Sequence, residues 1–326
     1  MSLRPPHPAR SPSAGEREHE SPSAAEREHK ERALESLLEF LIQGIVLGGL
    51  YALFAVGLTL IFGVLNVINV AHGEFFAVGG YLLFGALVLL HLPPAASVMA
   101  AAAGTFLLGL AVYPLLIAPL NRRLGRRPAG SLYLVLTLGL STFMQSSLLA
   151  IAGGDYLRVP PLVSGILEVG FTGVSYQRLL VLTVAAALLA TLFAFLRWHR
   201  QGLAVRAVAQ NPEAAQAMGI NLARIFSLTL ALGVGLAGVG GALMAPLFNV
   251  YPAVGFPLTI KAFAITILGG MGNLVGALLA SLIVGVAESM VVMVIPSQWQ
   301  NGVAFVVMIV ALLIRPQGLL GRATTR

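Results

Sequence analysis

Charged side chains are widely spaced along most of this chain, and their spacing predicts where it crosses a membrane. After Glu39 the sequence contains long apolar stretches, several with the roughly 20 residues that a helix needs to cross the hydrocarbon layer. The stretches without Asp, Glu, Lys or Arg are 40–73, 75–121, 128–154, 179–196, 225–260, 262–287 and 289–314. His91–Pro94 divides the second of them into two helices. Eight spans are predicted, at about 40–62, 74–92, 96–118, 131–152, 178–197, 225–247, 273–295 and 301–315.

Two further apolar segments, 63–73 and 258–271, are short and contain Gly or Asn. They are predicted to be broken or re-entrant, because irregular backbone is tolerated at membrane depth only where protein or a water-filled cavity covers it. Two such segments in comparable positions of two halves indicate a transport path. The predicted fold class is an all-α, polytopic transmembrane helix bundle of about eight spans with these two short segments.

Arginine clusters predict the sidedness of the bundle. Asn121–Pro128 carries four Arg, the loop from Arg197 to Arg224 carries four more, and the tail after Ile314 carries three. The positive-inside rule places all three in the cytoplasm. Turns with almost no basic residue are predicted to face outside, and they lie at Pro93–Pro94, 153–177, Tyr251–Phe256 and Ser297–Gln300.

The composition agrees with burial in a bilayer. The chain is 57% hydrophobic and 10% charged, whereas a soluble domain carries about 25% charged residues. The 36 glycines allow close helix association in lipid. The net charge of +7 is spread over short loops rather than gathered on one face with aromatic side chains, which argues against nucleic-acid binding. Because there is no Cys, disulfides, thiolate metal sites and a Cys nucleophile are excluded.

Residues 1–36 have a different composition from the rest of the chain. They contain a tandem decapeptide, SPSAGEREHE followed by SPSAAEREHK, rich in Ser, Pro and mixed charge. Such a segment buries too little apolar surface to offset its ordering entropy, and it lacks the apolar core of a signal peptide. The sequence predicts a disordered polar extension over 1–36 and a transmembrane domain over 37–326.

The longest cytoplasmic loop, 198–224, contains a predicted short helix. Its sequence Asn-Pro-Glu begins a helix, because Asn caps it, Pro fits the first helical position and Glu favours the positive end of the dipole. Alanines continue the helix and a Gly can end it. The residues concerned are Asn211, Glu213, Ala214, Ala215 and Gly219. A helix of small residues suits insertion into a groove of a partner protein; an ordinary connector between two spans is the alternative.

A polar cluster interrupts the apolar sequence near residue 70. It consists of Asn66, Asn69, His72 and Glu74. Polar groups at this depth need partners or a polar setting, so the cluster is predicted to line the transport path or its gate. The alternative, that it begins the second span at a membrane interface, stays open. A zinc site is excluded because no third ligand or metalloprotease spacing accompanies the His and Glu.

Two isolated charges, Lys261 and Glu288, flank a glycine-rich stretch in the second half. An ionisable group within a span indicates a functional site. Glu288 is expected to face the bundle interior, while Lys261 is expected to reach the outer interface through its long stem. The glycine run lacks the frame of a phosphate-binding loop. Its Gly269, Gly270 and Asn273 complete the candidate residues of the path or gate.

The sequence contains no nucleotide-binding motif, so the chain is expected to bind neither ATP nor another cofactor. An intramembrane hydrolase would need a Ser–His or paired Asp arrangement. Asp155 is the one aspartate of the chain, and Ser141 has no evident His partner. No catalytic residue is therefore predicted, and enzymatic activity is not expected.

Four separated motifs closely resemble the LivH-type permease subunits of branched-chain amino acid ABC importers. They are INVAHGE (68–74), RAVAQNPEAAQAMGIN (206–221), KAFAITILGGMGNLVGALLASLIVGVAE (261–288) and RPQGLLGR (315–322). The second has the spacing of the EAA loop of ABC permeases, although it lacks the downstream Ile-x-Leu-Pro. The resemblance runs from about Leu38 to the C-terminus, and residues 1–36 have no counterpart in the family.

The resemblance implies translocation of Leu, Ile and Val across the bacterial inner membrane. It implies a second, LivM-like permease, two cytoplasmic ATPases of the LivG and LivF kind that bind ATP and Mg, and an extracytoplasmic solute-binding protein. It also implies that the protein lies in a lipid bilayer and does not bind nucleic acid. Import of urea, amides or another amino acid by the same architecture stays open, as does a stand-alone secondary transporter or channel.

Overall fold

A computed structural model of the chain describes residues 24–124, 130–169, 172–293, 296 and 299–321, and most of them are helical. In chain order the helices are α1 (Ala24–Leu65), α2 (His72–Phe84), α3 (Pro94–Val112), α4 (Ala118–Leu124), α5 (Gly130–Ala152), α6 (Tyr176–Trp198), α7 (Arg200–Gln210), α8 (Pro212–Ala217), α9 (Leu222–Met244), α10 (Gly255–Gly269), α11 (Leu274–Val291) and α12 (Gln300–Ile314). Single π-helical stretches, Gly85–Leu89 and Tyr113–Ile117, continue α2 and α3. A 3-10 turn, Pro252–Val254, leads into α10.

Eight helical segments of the described chain are long and apolar enough to cross a membrane, and seven of them confirm predicted spans. The eighth, Pro252–Gly269, shows that the prediction of a broken segment at 258–271 was wrong. The helix begins earlier than expected, because Gly255 and Phe256 belong to it rather than to an outer turn. The span predicted at 301–315 corresponds to α12, whose apolar part, Gly302–Ile314, is shorter than the other eight.

The break predicted at 63–73 is confirmed. Helix α1 ends at Leu65, Asn66 has a positive φ of 54°, and the chain stays non-helical until α2 begins at His72. The Nε2 atom of His72 lies 3.0 Å from the carbonyl oxygen of Phe54. Phe54 precedes the end of α1 by three turns, roughly 16 Å along the helix axis. The segment 66–71 therefore runs back into the bundle, and α2 starts within the membrane rather than at its surface.

Helix α1 forms the centre of the bundle. Of its apolar window 89% is buried, and it packs against α6, α9, α10 and α11. Glycines allow the close approach: a side chain at Gly57 would meet the backbone of Gly233 in α9, and one at Gly48 would meet the backbone of Leu282 in α11. Helix α5 lies at the other extreme, with only 11% of its window buried.

The three arginine-rich segments that were predicted to share one side lie at one end of the bundle. A recess of about 2080 Å³ is lined by Arg122, Arg197, Arg206 and Leu320, so the arginine-rich loops and the C-terminal tail share one end. At the other end the backbone of Leu157 pairs with that of Val250. We call the first end cytoplasmic and the second end outer, since basic loops remain on the cytoplasmic side.

Two local features differ from the expectation. Helix α1 extends back to Ala24, which corrects the predicted disorder for residues 24–36; this segment is rich in Ala, Glu, Lys and Arg, all strong helix formers. Residues 1–23 lie outside the described residues. The outer connection contains an antiparallel hairpin of β1 (Ile166–Val169) and β2 (Thr172–Ser175), a small exception to the all-α class.

Candidate functional site

The re-entrant junction between α1 and α2 is held by hydrogen bonds from neighbouring helices. The hydroxyl of Thr137 in α5 accepts the backbone N–H of Val70 at 3.2 Å, and its single proton is shared between the carbonyls of Tyr133, at 2.9 Å, and Ile68, at 3.1 Å. Asn69 is buried, and its carbonyl accepts the N–H of His72. Asn66 is exposed and lines the cytoplasmic recess. The predicted polar cluster therefore divides, with one Asn in the recess and the other residues inside the protein.

His72 and Glu74 are fully buried in the first turn of α2. The His72 ring stacks on that of Phe54, and its Nε2 donates to the Phe54 carbonyl, since a carbonyl only accepts. The Oε1 atom of Glu74 accepts the hydroxyl of Ser141 in α5 at 3.0 Å. Thr259 of α10 accepts the N–H of Gly73 at 2.8 Å. Four helices, α1, α2, α5 and α10, meet at this turn, well within the bundle.

Lys261 and Glu288 form a buried ion pair, and Tyr51 joins them. The Nζ atom of Lys261 lies 3.0 Å from Oε1 of Glu288 and donates to the hydroxyl of Tyr51 at 2.8 Å. The same hydroxyl donates to Oε2 of Glu288 at 2.6 Å. The interior position expected for Glu288 is confirmed. The expectation that Lys261 reaches the outer interface was wrong, because the carboxylate and the phenol satisfy its charge within the bundle.

The glycine-rich stretch between α10 and α11 is where the C-terminal tail docks. The N–H groups of Leu319 and Leu320 donate to the carbonyls of Leu268 and Gly269, which end α10. Asn273 accepts the N–H of Gly276 as the cap of α11 and donates to the carbonyl of Leu320 at 2.7 Å.

Gly270 allows this docking in two ways. It has a positive φ of 97°, and its Cα faces the backbone of Gly321. Gly269 packs against the backbone of Gly276 with no room for a side chain. Gly269, Gly270 and Asn273 thus form a junction at the cytoplasmic end, apart from the ion pair.

The predicted short helix in 198–224 is α8. Asn211 caps it, since Oδ1 accepts the N–H groups of Glu213 and Ala214, both at 3.0 Å. Gly219, with a positive φ of 84°, follows its end. Glu213, Ala214 and Gly219 are exposed, as a docking surface requires. Ala215 is not part of that surface, because it is 5% exposed and packs with the apolar cluster of α7 and α9.

Several residues of these sites were missed by the sequence analysis, Thr137 of the re-entrant junction among them. Tyr51 and Thr259 lie in apolar spans, and nothing in their local sequence distinguishes them from other packed residues. Ser141 was considered only as a nucleophile, although its partner is Glu74. Met218 follows α8 and is 84% exposed. Of these residues, only Met218 could have been found from the sequence, because it is a large apolar residue beside a predicted coupling helix.

Known proteins match this chain over nearly its whole transmembrane part. The family described as branched-chain amino acid transport system / permease component matches residues 40–312. The high-affinity branched-chain amino acid transport system permease protein BraD of Pseudomonas aeruginosa is 33% identical over 294 residues, covering 87% of this chain and 96% of BraD. The corresponding LivH protein of Escherichia coli K12 is 31% identical, over 88% of this chain and 97% of LivH.

A more distant relative belongs to a second kind of permease. The LivM permease protein of Escherichia coli K12, named for the same transport system, is 28% identical over 83% of this chain and 68% of LivM. The match to the family model covers far more than half of the chain, and the identities to BraD and LivH extend over nearly their whole lengths. The chain belongs to the permease-component family of branched-chain amino acid transport systems.

Proposed function

We propose that this chain is a transmembrane permease subunit of an ABC importer that moves Leu, Ile and Val across the bacterial inner membrane. The observation that carries the proposal is the similarity to BraD and LivH over nearly their whole lengths, because both are named as permease proteins of branched-chain amino acid transport systems. The positions of the re-entrant junction, the coupling helix and the cytoplasmic recess agree with it. An importer needs a path through the bundle and a contact with an energy source at its cytoplasmic end.

A second, LivM-like permease completes the path in this proposal. Since the chain is 28% identical to a LivM protein, the two permeases share a fold, and they can pair about a pseudo-two-fold axis. Helix α5 indicates where the second permease packs. It is the least buried of the eight spans, yet it carries the polar residues Thr142, Gln145 and Ser146. Polar side chains are costly against lipid, so protein or water is expected to cover this helix in the assembled transporter.

Two cytoplasmic ATPases, of the LivG and LivF kind, supply the energy and hold ATP and Mg. The sequence of this chain has no phosphate-binding loop of its own. Helix α8 is the proposed docking element, together with Met218 directly after it, and both Ala214 and Met218 are exposed. Small residues permit close approach of a partner, and the exposed Met218 side chain offers an adaptable apolar contact.

The packing provides a route from the ATPase contact to the path. Ala215 in α8 belongs to the same apolar cluster as Val208 of α7 and Ile225 of α9, and α8 contacts both helices. Helix α9 then contacts α2 at Gly238, against which Gly79 packs without space for a side chain. A movement of α8 therefore reaches α9 and, through this close contact, the re-entrant start of α2. An extracytoplasmic binding protein delivers the solute at the outer end, where the hairpin of β1 and β2 lies.

Uptake measurements test the proposal. Cells carrying the complete gene cluster should accumulate radiolabelled Leu, Ile and Val, and deletion of this gene alone should abolish the accumulation. Radiolabelled urea serves as the competing solute. Accumulation of urea without Leu would overturn the assigned substrate class, and uptake by this chain in proteoliposomes without ATPases would overturn the ABC assignment.

A further inference from the structure

The carboxylate of Glu74 has one oxygen with a partner and one without. Its Oε1 accepts the hydroxyl of Ser141, whereas Oε2, although fully buried, accepts no hydrogen bond from the described residues. Oε2 is directed towards the first turn of α10, where it lies close to Gly255. A buried acceptor without a donor is unfavourable, and such a group indicates a missing donor.

A second acceptor in the same turn is also without a donor. The Nε2–H of His72 is used by the Phe54 carbonyl, so Nδ1 carries the free lone pair, and it has no partner among the described residues. His72 and Glu74 are two residues apart, so they contact different neighbours: the ring of His72 lies against α1, and the carboxyl of Glu74 lies against α5 and α10. The donor that Oε2 lacks is therefore a separate group, and a positively charged N–H donor matches a carboxylate best.

Stabilisation of the α2 start is the competing explanation for Glu74. A carboxylate in the first turn interacts favourably with the helix dipole. This explains a negative charge at the position, but it does not require burial, and water would solvate the free oxygen better. The carboxyl contacts Ser141 of α5, a helix that is otherwise exposed. Glu74 therefore lies next to the helix that is expected to face the partner permease or the path.

We propose that Glu74 recognises the ammonium group of the transported amino acid, an inference that rests on the proposed function. In this structure the site is closed by the backbone contact of Gly73 with Gly255, and by the bond from Gly73 to Thr259. Separation of the first turns of α2 and α10 exposes Oε2. The carboxylate then selects zwitterionic amino acids over neutral solutes such as urea.

Cysteine labelling tests the site in the assembled transporter. The chain has no native Cys, so Ser141→Cys places a single thiol of this subunit beside Glu74. Membrane vesicles with ATP and binding protein are treated with cationic aminoethyl or anionic sulfonatoethyl methanethiosulfonate, and the labelled subunit is quantified by mass. The cationic reagent should react faster, leucine should slow it, and 4-methylpentanoate, which lacks the ammonium group, should not.

Two variants complete the experiment. Adding Glu74→Gln to Ser141→Cys should abolish the preference for the cationic reagent, and Glu74→Gln alone should lower leucine uptake roughly tenfold or more. Thr142→Cys, the next residue and exposed, controls for reagent access and should show no effect of residue 74.

Equal labelling by both reagents, with full uptake by Glu74→Gln, overturns the inference but leaves the proposed transport intact. A cation preference that leucine does not affect also overturns it, because the solute then does not occupy the site beside Glu74. If the wild-type transporter takes up no leucine, the proposed function itself is refuted.

Discussion

Lys261 and Glu288 lie 27 residues apart in sequence, and their charged groups are 3.0 Å apart between α10 and α11. Both side chains are almost completely buried, at 7% and 1% exposure. The hydroxyl of Tyr51 bridges them from α1, so three helices share one polar contact in the apolar bundle. Neither charge is therefore independent of the other, and the ion pair holds α10 against the central helix.

Loss of one charge should be much more damaging than loss of both. Lys261→Met leaves Glu288 charged and unpaired, and Glu288→Met leaves Lys261 unpaired, so each is expected to cost about 3–5 kcal/mol. The variant that combines Tyr51→Phe, Lys261→Met and Glu288→Met should recover most of the stability. Thermal unfolding of the purified protein in detergent measures this. A mild effect of Lys261→Met alone would show that the ion pair does not form.

Asn273 should link the C-terminal tail to α11 through two separable hydrogen bonds. Asn273→Ser keeps a cap for α11 but loses the donor to Leu320, so it should release the tail with little effect on the helix. Asn273→Ala loses both and should cost about 0.5–2 kcal/mol more in helix stability. Hydrogen exchange at the amides of Leu319 and Leu320 reports tail docking. Equal exchange in wild type and both variants would contradict this role.

The exposed side of α8 should be required for ATPase binding. Ala214→Arg and Met218→Arg place a charge on that surface without touching a span, so membrane abundance should be unchanged while ATPases are lost in pull-downs from detergent. Gln201→Arg, exposed on α7, is the matched control. Retention of the ATPases and of uptake in both variants would restore the interpretation of 198–224 as an ordinary connector.

Gly219 has a different role on the same loop, because its positive φ disfavours any side chain. Among the described residues other than its two chain neighbours, no atom lies within 4 Å of the position that its Cβ would take. Gly219→Ala should therefore cost only about 1 kcal/mol, from backbone strain alone. Thermal unfolding measures that cost. Gly219→Ala should also retain the ATPases, and loss of binding would assign the glycine itself to the contact surface.

The contact of Gly73 with Gly255 should tolerate no side chain. A Cβ on Gly73 would collide with the Gly255 carbonyl and with Thr259, so Gly73→Ala is expected to cost about 1–3 kcal/mol through overpacking. Gly85→Ala is the control, because no atom lies within 4 Å of its Cβ position. Gly73→Ala should unfold at a lower temperature in detergent and take up less leucine than Gly85→Ala. Equal behaviour would indicate that α2 and α10 are already apart in the membrane.

Some properties of this protein follow from the order of its residues alone. Long charge-free stretches determined seven of the spans, because lipid excludes charge over a length that every helix must match. The arginine clusters predicted a common end for three segments of the chain, and Asn211-Pro212-Glu213 determined where α8 begins. These features are local, because they depend only on the exclusion of charge from lipid or on hydrogen bonds to a few neighbouring backbone groups.

The tertiary structure decided which polar groups meet. Lys261 has the same local sequence whether it reaches the interface or pairs with Glu288, and the choice depends on where α1 and α11 place Tyr51 and Glu288. Ala215 and Ala214 are equivalent in sequence, but the packing of α8 on α7 and α9 buries one and exposes the other. Burial and pairing arise between segments far apart in the chain, and so the free energy that fixes them is absent from any local pattern.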